Sequence, residues 1–155
     1  MDPKKVNVYL GKAAMLMQQG ENEDAVEVLN KALAIEPNNG NVLYNIGKAL
    51  LQDERPKEAD TFFRKAVEKD PKHAAAAYQV ATYLINQNDP ATKQKRQEEA
   101  LKYFTNVIAL SPKYIDAYYH AGVILQSKGG PNELKVGFVV EMERDGDGEL
   151  SLIHI

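Results

Sequence analysis

The chain has 155 residues, a net charge of −3 and no cysteine. The lack of cysteine excludes disulfides and thiolate metal sites, and no apolar run reaches the about 18 residues of a membrane span. Acidic and basic side chains nearly balance over residues 1–128. We therefore expect no nucleic-acid binding, which needs a basic face. No signal peptide is visible at the N-terminus, so a cytoplasmic location is the default expectation.

The most regular feature of the chain is a recurring segment that ends in proline. Pro37, Pro71 and Pro112 follow similar segments, at intervals of 34 and 41 residues. A period of about 34 residues predicts a helix-turn-helix unit stacked on copies of itself. The predicted repeats and a final half repeat lie, in order, at 6–39, 40–73, 74–114 and 115–128.

A small residue recurs at one position of the first helix in each repeat. Small side chains at this position would let the two helices of a repeat approach closely, and large apolar residues three positions later extend the same buried stripe. The small residues are Ala13, Gly47, Ala81 and Gly122.

The third repeat carries seven extra residues, which fall within 88–97. Seven residues are about two helical turns, so they would lengthen the second helix without rotating its buried stripe. Asp89 as N-cap and Pro90 at the first helical position favour this interpretation. The lengthened segment is either a solvated basic helix face or a docking site for an acidic partner. Its basic residues are Lys93, Lys95 and Arg96.

The second repeat shows most fully a pattern of bulky, small and aromatic positions: Leu43, Ile46, Gly47, Leu50, Ala59, Phe63, Ala66 and Pro71. This pattern resembles that of the tetratricopeptide repeat family over about residues 4–128. The resemblance implies an all-α helix-turn-helix solenoid of about 3.5 repeats in residues 1–128, followed by a non-repeat tail at 129–155. The first repeat departs from the pattern at Lys12, where an apolar residue is usual.

In that family the first helices of the repeats line a concave groove that holds a protein or an extended peptide. The family positions, carried over to this chain, imply these contacts: Asn41, Tyr44, Asn45, Lys48, Tyr78, Gln79, Thr82, Tyr119 and His120. Tyr44, Tyr78 and Tyr119 recur at one position and would form an aromatic ladder. The alternative is that these tyrosines only shield the seam between helices.

One subclass of the family, the carboxylate clamp, grips the C-termini of chaperones with cationic and amide side chains. The corresponding positions of this chain hold Leu10, Ala14, Asn45, Ala75 and Gln79. Only Asn45 matches, and none of the required cations is present. A C-terminal carboxylate would lack its counter-charge, so chaperone clamp partners are not expected.

The sequence carries no recognisable catalytic constellation. The three histidines share no metal-ligand spacing, and no phosphate-binding glycine loop or strained serine elbow occurs. We therefore expect a non-catalytic protein–protein interaction scaffold without cofactor or metal. The alternative is an accessory repeat region of a larger enzyme or of a secretion or assembly factor, of which this chain is a truncated fragment.

The tail departs from the repeat pattern. Apolar residues alternate over 136–142 and again over 150–152, around a glycine-rich turn, which predicts a β-hairpin. A calcium loop over Glu143–His154 is an alternative, although Glu143 and His154 stand where an Asp and a bidentate Glu are usual. Leu150–Ile155 also resembles a translated transposon end from sequencing libraries, which would make these residues an artefact.

Overall fold

The structure is a computed structural model that describes residues 3–128, 133–135, 139–144 and 150–154. Among these residues the chain forms helices α1 to α7, in order Pro3–Gln19, Asn22–Ile35, Gly40–Gln52, Pro56–Lys69, Ala74–Ile85, Lys93–Leu110 and Ile115–Ser127. A 3₁₀ turn at Pro90–Thr92 precedes α6. Strands β1 to β3 follow at Glu133–Lys135, Val139–Arg144 and Leu150–His154. The chain forms two compact units, Met1–Tyr83 and Leu84–Ile155, and the boundary between them falls in the last turn of α5.

In the first unit, consecutive helices pack as antiparallel neighbours, α1 on α2 and α3 on α4, and α2 also contacts α3. Their ends follow local chemistry. Gly20, between α1 and α2, has a φ of 81°, a left-handed conformation that glycine adopts without strain. The side chain of Asn39 caps α3 by accepting hydrogen bonds from the backbone N–H groups of Asn41 and Val42. Pro56 begins α4.

The predicted close approach of two helices is confirmed at Gly47. A Cβ atom at this position would lie 2.6 Å from Cε1 of Phe63, which is buried on α4. Ala13 and Ala81, at the equivalent positions, are fully buried. Gly122 is only half-buried. This position faces the second helix of its own repeat, and the described residues contain no such helix after α7, so the burial predicted for Gly122 is incomplete.

In the second unit, α6 packs against α7 around a core that includes Phe104, Ile108 and Tyr118. The predicted lengthening of the second helix is confirmed, since α6 has 18 residues where α4 has 14. Asp89 is the predicted N-cap, and its carboxylate accepts a hydrogen bond from the N–H of Ala91. The capped segment opens as a 3₁₀ turn rather than as a direct start of the α-helix.

The strands form an antiparallel sheet in the order β1-β2-β3. Strands β2 and β3 cover parts of the two segments of the predicted hairpin, and β1 was not predicted. Residues 136–138 and the turn at 145–149 lie outside the described residues, so the hairpin as a whole stays a prediction. The calcium-loop alternative falls on the same turn and lies outside them too. None of the described helices combines the length and the hydrophobicity that crossing a membrane needs.

Candidate functional site

Helix α3 presents four of the predicted contact residues on one face. Asn41, Tyr44, Asn45 and Lys48 recur at spacings of three and four residues, which places them on one side of an α-helix. Asn41 is exposed and the other three are half-buried. The opposite side of the helix is apolar and buried in the core, so the core fixes which way this polar face points. Its buried residues include Val42, Leu43, Ile46 and Ala49.

Tyr44 is held in place by rings on both sides. Its ring centroid lies 5.7 Å from that of the buried Phe63 and 4.8 Å from that of His73, at interplanar angles of 46° and 43°. The Nζ of Lys48 lies 5.8 Å from the Tyr44 ring centroid, within the range of a cation–π interaction. Because three neighbours contact the ring, little side-chain entropy remains to be lost when a ligand binds.

His73 belongs to the same cluster, although it was not among the contact residues predicted from the sequence. Its Nδ1 accepts a hydrogen bond of 3.1 Å from the N–H of Ala76, which caps the start of α5. In the neutral ring this puts the proton on Nε2, which lies 3.4 Å from Oδ1 of Asn41. His73 stands 34 residues after Asn39, the cap of α3. The 34-residue repeat could therefore have predicted that His73 caps α5, as Asn39 caps α3.

The remaining predicted contact residues of the first unit differ in the hydrogen-bonding groups that they have left for a ligand. The Nδ2 of Asn45 donates to the carbonyl of Asn41 at 2.8 Å, which orients its amide. The Thr82 hydroxyl lies 3.1 and 2.9 Å from the carbonyls of Tyr78 and Gln79, so its proton is used within α5. Tyr78 and Gln79 are half-buried. Thr82 is therefore a weaker candidate for ligand contact than its position suggests.

The second unit carries the last two predicted contacts, on α7. Tyr119 is 45% exposed, and its ring meets that of His120 edge-on at a centroid distance of 5.4 Å. His120 stacks on the buried Phe104 at 5.2 Å and 18°. Burial lowers the pKa of His120, and the nearby Asp116 opposes this effect. His120 therefore packs as a neutral ring, while Tyr119 presents the accessible surface.

The structure groups Asn41, Tyr44, Asn45 and Lys48 with His73 and leaves the aromatic ladder as a prediction, since Tyr119 lies in the other unit. In the parts of the chain that the structure describes, no three histidine or carboxylate side chains come together as a metal site would require. The amides and rings of this cluster can form hydrogen bonds to a ligand and stack on it.

The helical region is similar to a known repeat family. Residues 16–81, less than half of the chain, match the sequence profile of the tetratricopeptide repeat. Such repeats generally form non-catalytic scaffolds for protein binding. The match covers α2, α3 and α4 in full, and therefore includes the face around Tyr44.

Three known proteins are similar to this chain in sequence or in fold. Protein O-mannosyl-transferase TMTC3 of Homo sapiens is 25% identical over 156 residues, which cover 100% of this chain and 17% of that protein. The crystal structure of YrrB shows a TPR protein with an unusual peptide-binding site. YrrB is 28% identical to this chain, and its structure matches with a TM-score of 0.61. The match covers 80% of this chain and 60% of YrrB. The first TPR of Spaghetti (RPAP3), bound to the HSP90 peptide SRMEEVD, has a TM-score of 0.68 over 84% of this chain and 98% of its own. At 20% identity it shows the fold alone.

Proposed function

We propose that the chain is a non-catalytic scaffold that binds an extended protein segment on the face formed by α3 and α5. The observation that carries this proposal is the arrangement around Tyr44. An aromatic ring is fixed between His73, Phe63 and Lys48, and oriented amide groups stand beside it. Rigid aromatic anchors with polar neighbours are typical of the residues that dominate protein interfaces.

The face offers two kinds of contact to an extended segment. The Tyr44 ring supplies apolar area for a side chain of the ligand, and the amides of Asn41, Asn45 and Gln79 supply donors and acceptors for its backbone. An extended chain leaves its N–H and C=O groups unpaired, so amide groups in a row satisfy them and fix the register. The likeness to YrrB, a repeat protein with a peptide-binding site, supports a ligand of this class.

Tyr119 and His120 are the proposed contacts on α7, in the second unit. The exposed residues Ile115 and Val123 lie four positions on either side of Tyr119, so α7 adds an apolar stripe with the same helical spacing. We expect this stripe to bind an apolar side chain of a ligand. The contribution of α7 is separable from that of α3 by mutation, because the two sets of residues share no side chain.

Peptides selected by display on the purified chain test the proposal. We expect Tyr44→Ala to weaken binding of a selected peptide about tenfold or more, measured by fluorescence anisotropy, because Tyr44 supplies a central anchor. Tyr103→Ala, on α6 outside the proposed face, is the matched control and should bind like the wild type. The triple variant of Tyr44, Tyr78 and Tyr119 to Ala should lose binding. Equal affinity of all variants would refute the assignment of the face.

A second candidate is an accessory repeat region of a larger enzyme or of a secretion or assembly factor. The observation that favours it is the match to TMTC3, a transferase of which the chain spans only 17% while the match covers the whole chain. In this case the repeats would position a substrate or a partner for a domain encoded elsewhere in the same gene. Sequencing the uninterrupted reading frame would decide it, since a frame that encodes no catalytic domain excludes this candidate.

A further inference from the structure

The insertion in the third repeat shapes two adjoining clefts in the second unit. One has a volume of about 370 Å³ and lies against the segment from Ile85 to Gln97. The other has a volume of about 680 Å³ and reaches the C-terminal end of α7 at Lys128. Pro90, Lys93 and Gln97 line both clefts, so the two share a rim. The seven extra residues thus create a concave surface within the second unit.

Arg96 holds this surface in a defined shape. Its Nη1 donates to the carbonyl of Leu84 and its Nη2 to the carbonyl of Asp89, both at 2.6 Å, and its Nε donates to the Thr92 hydroxyl at 3.0 Å. The Asp89 carboxylate also accepts hydrogen bonds from the N–H of Ala91 and the hydroxyl of Thr92. Two of these hydrogen bonds connect the turn to α6, two lie within the turn, and one connects α6 to the end of α5. A surface loop so connected is preorganised for binding.

The charge of the clefts is positive. The larger cleft is lined by Lys93 and Lys128 and by no carboxylate group, and its other polar lining residues are Gln94, Gln97 and Ser127. Lys93 is exposed. The Nζ of Lys128 lies 3.1 Å from Oε1 of Glu98. The side chain of Lys128 is 31% exposed and that of Glu98 is 50% exposed. Exposed ion pairs are weak because water screens them, so an incoming carboxylate can exchange with Glu98.

We propose that these clefts bind an acidic protein segment, with its carboxylates on Lys93 and Lys128 and its backbone on the glutamine amides. Charge complementarity selects this occupant, because the charged residues that line the larger cleft are both lysines, Lys93 and Lys128. The lining residues include no aromatic ring, which single-stranded nucleic acids use for base stacking. The site is independent of the face around Tyr44 and gives the scaffold a second partner surface.

A fluorescein-labelled octapeptide of glutamate residues is the probe, and the same peptide made of glutamine is its neutral counterpart. Binding is measured by anisotropy on the full chain at low and at moderate salt. We expect saturable binding of the glutamate peptide that weakens with salt, and much weaker binding of the glutamine peptide. The double variant Lys93→Gln and Lys128→Gln should lose about two- to fivefold in affinity for each lysine. Lys57→Gln with Lys72→Gln, two exposed lysines of the first unit, is the matched control and should bind like the wild type.

Glu98→Gln should change the affinity for the glutamate peptide in the opposite direction from the lysine variants. It removes the carboxylate that competes for Lys128, so we expect it to raise the affinity for the glutamate peptide about twofold or more. A purely structural role of the Glu98–Lys128 pair would leave this affinity unchanged or reduce it. Tyr44→Ala should bind the glutamate peptide like the wild type, which separates this site from the proposed function. Equal binding of both octapeptides, no effect of the double lysine variant, or stronger binding of a single-stranded oligonucleotide of equal charge would overturn the proposal.

Discussion

Replacing Gly47 with alanine tests how tightly the helices of one repeat pack. The added Cβ would lie 2.6 Å from Cε1 and 2.7 Å from Cδ1 of Phe63, distances that real Cβ contacts do not show. Phe63 is 2% exposed, so its ring cannot turn away into solvent, and either the ring or the helix must shift. Overpacking of a core costs about 1–3 kcal/mol, while alanine gains about 1 kcal/mol over glycine in a helix. We expect a net loss of up to about 2 kcal/mol.

The assay is urea unfolding followed by circular dichroism, with Gly11→Ala as the matched control. Gly11 lies within α1, and a Cβ there would meet nothing within 4 Å. The control should therefore show only the gain in helix propensity and become more stable by up to about 1 kcal/mol. The double variant with Phe63→Leu should recover part of the loss of Gly47→Ala, because a smaller side chain leaves room for the new Cβ. A Gly47→Ala chain that gains stability as much as the Gly11→Ala control would refute the close approach.

Three further predictions concern the candidate site. His73→Ala should reduce the unfolding free energy by about 1 kcal/mol because α5 loses its cap, and His73→Asn should restore most of it, as measured by urea unfolding. Burial lowers the pKa of His120 from its ordinary value of 6.5, so its contribution to stability is present above pH 6.5 and is lost as the pH falls below it. The His120→Gln chain should show a smaller loss of melting temperature between pH 7.5 and pH 5.5, and equal losses would contradict this. A peptide that ends in Glu-Glu-Val-Asp should show no saturable binding at the face around Tyr44, because the clamp cations are missing, and competition with a selected peptide would contradict this.

The sequence predicted the elements whose physical causes are local. The spacing of prolines and the small residue at Gly47 follow from helix ends and close packing, and Asp89 next to Pro90 is a recognisable cap. The structure agrees with each of these. Such features depend on backbone hydrogen bonds and side-chain size, which a sequence displays directly.

Other features depended on contacts that no local pattern contains. His73 caps α5 and contacts Tyr44, which required comparing its register with that of Asn39. The hydroxyl of Thr82 bonds within its own helix, although its position suggested a ligand contact. Arg96 looked like one of three equivalent basic residues, and the structure shows it bound to three backbone and side-chain acceptors. Long side chains choose partners by geometry in space, so their roles could not be assigned from spacing alone.

NMR mapping of a bound peptide tests directly whether an extended segment binds on the face formed by α3 and α5. A peptide selected by display is titrated into the isotope-labelled chain, and chemical-shift changes are followed for each backbone amide and for the side-chain amides of Asn41 and Asn45. We expect the largest changes on α3 and α5, around Tyr44 and Gln79, and we expect both side-chain amides to shift on binding. Changes confined to the outer surfaces of α2 and α4 would contradict this expectation.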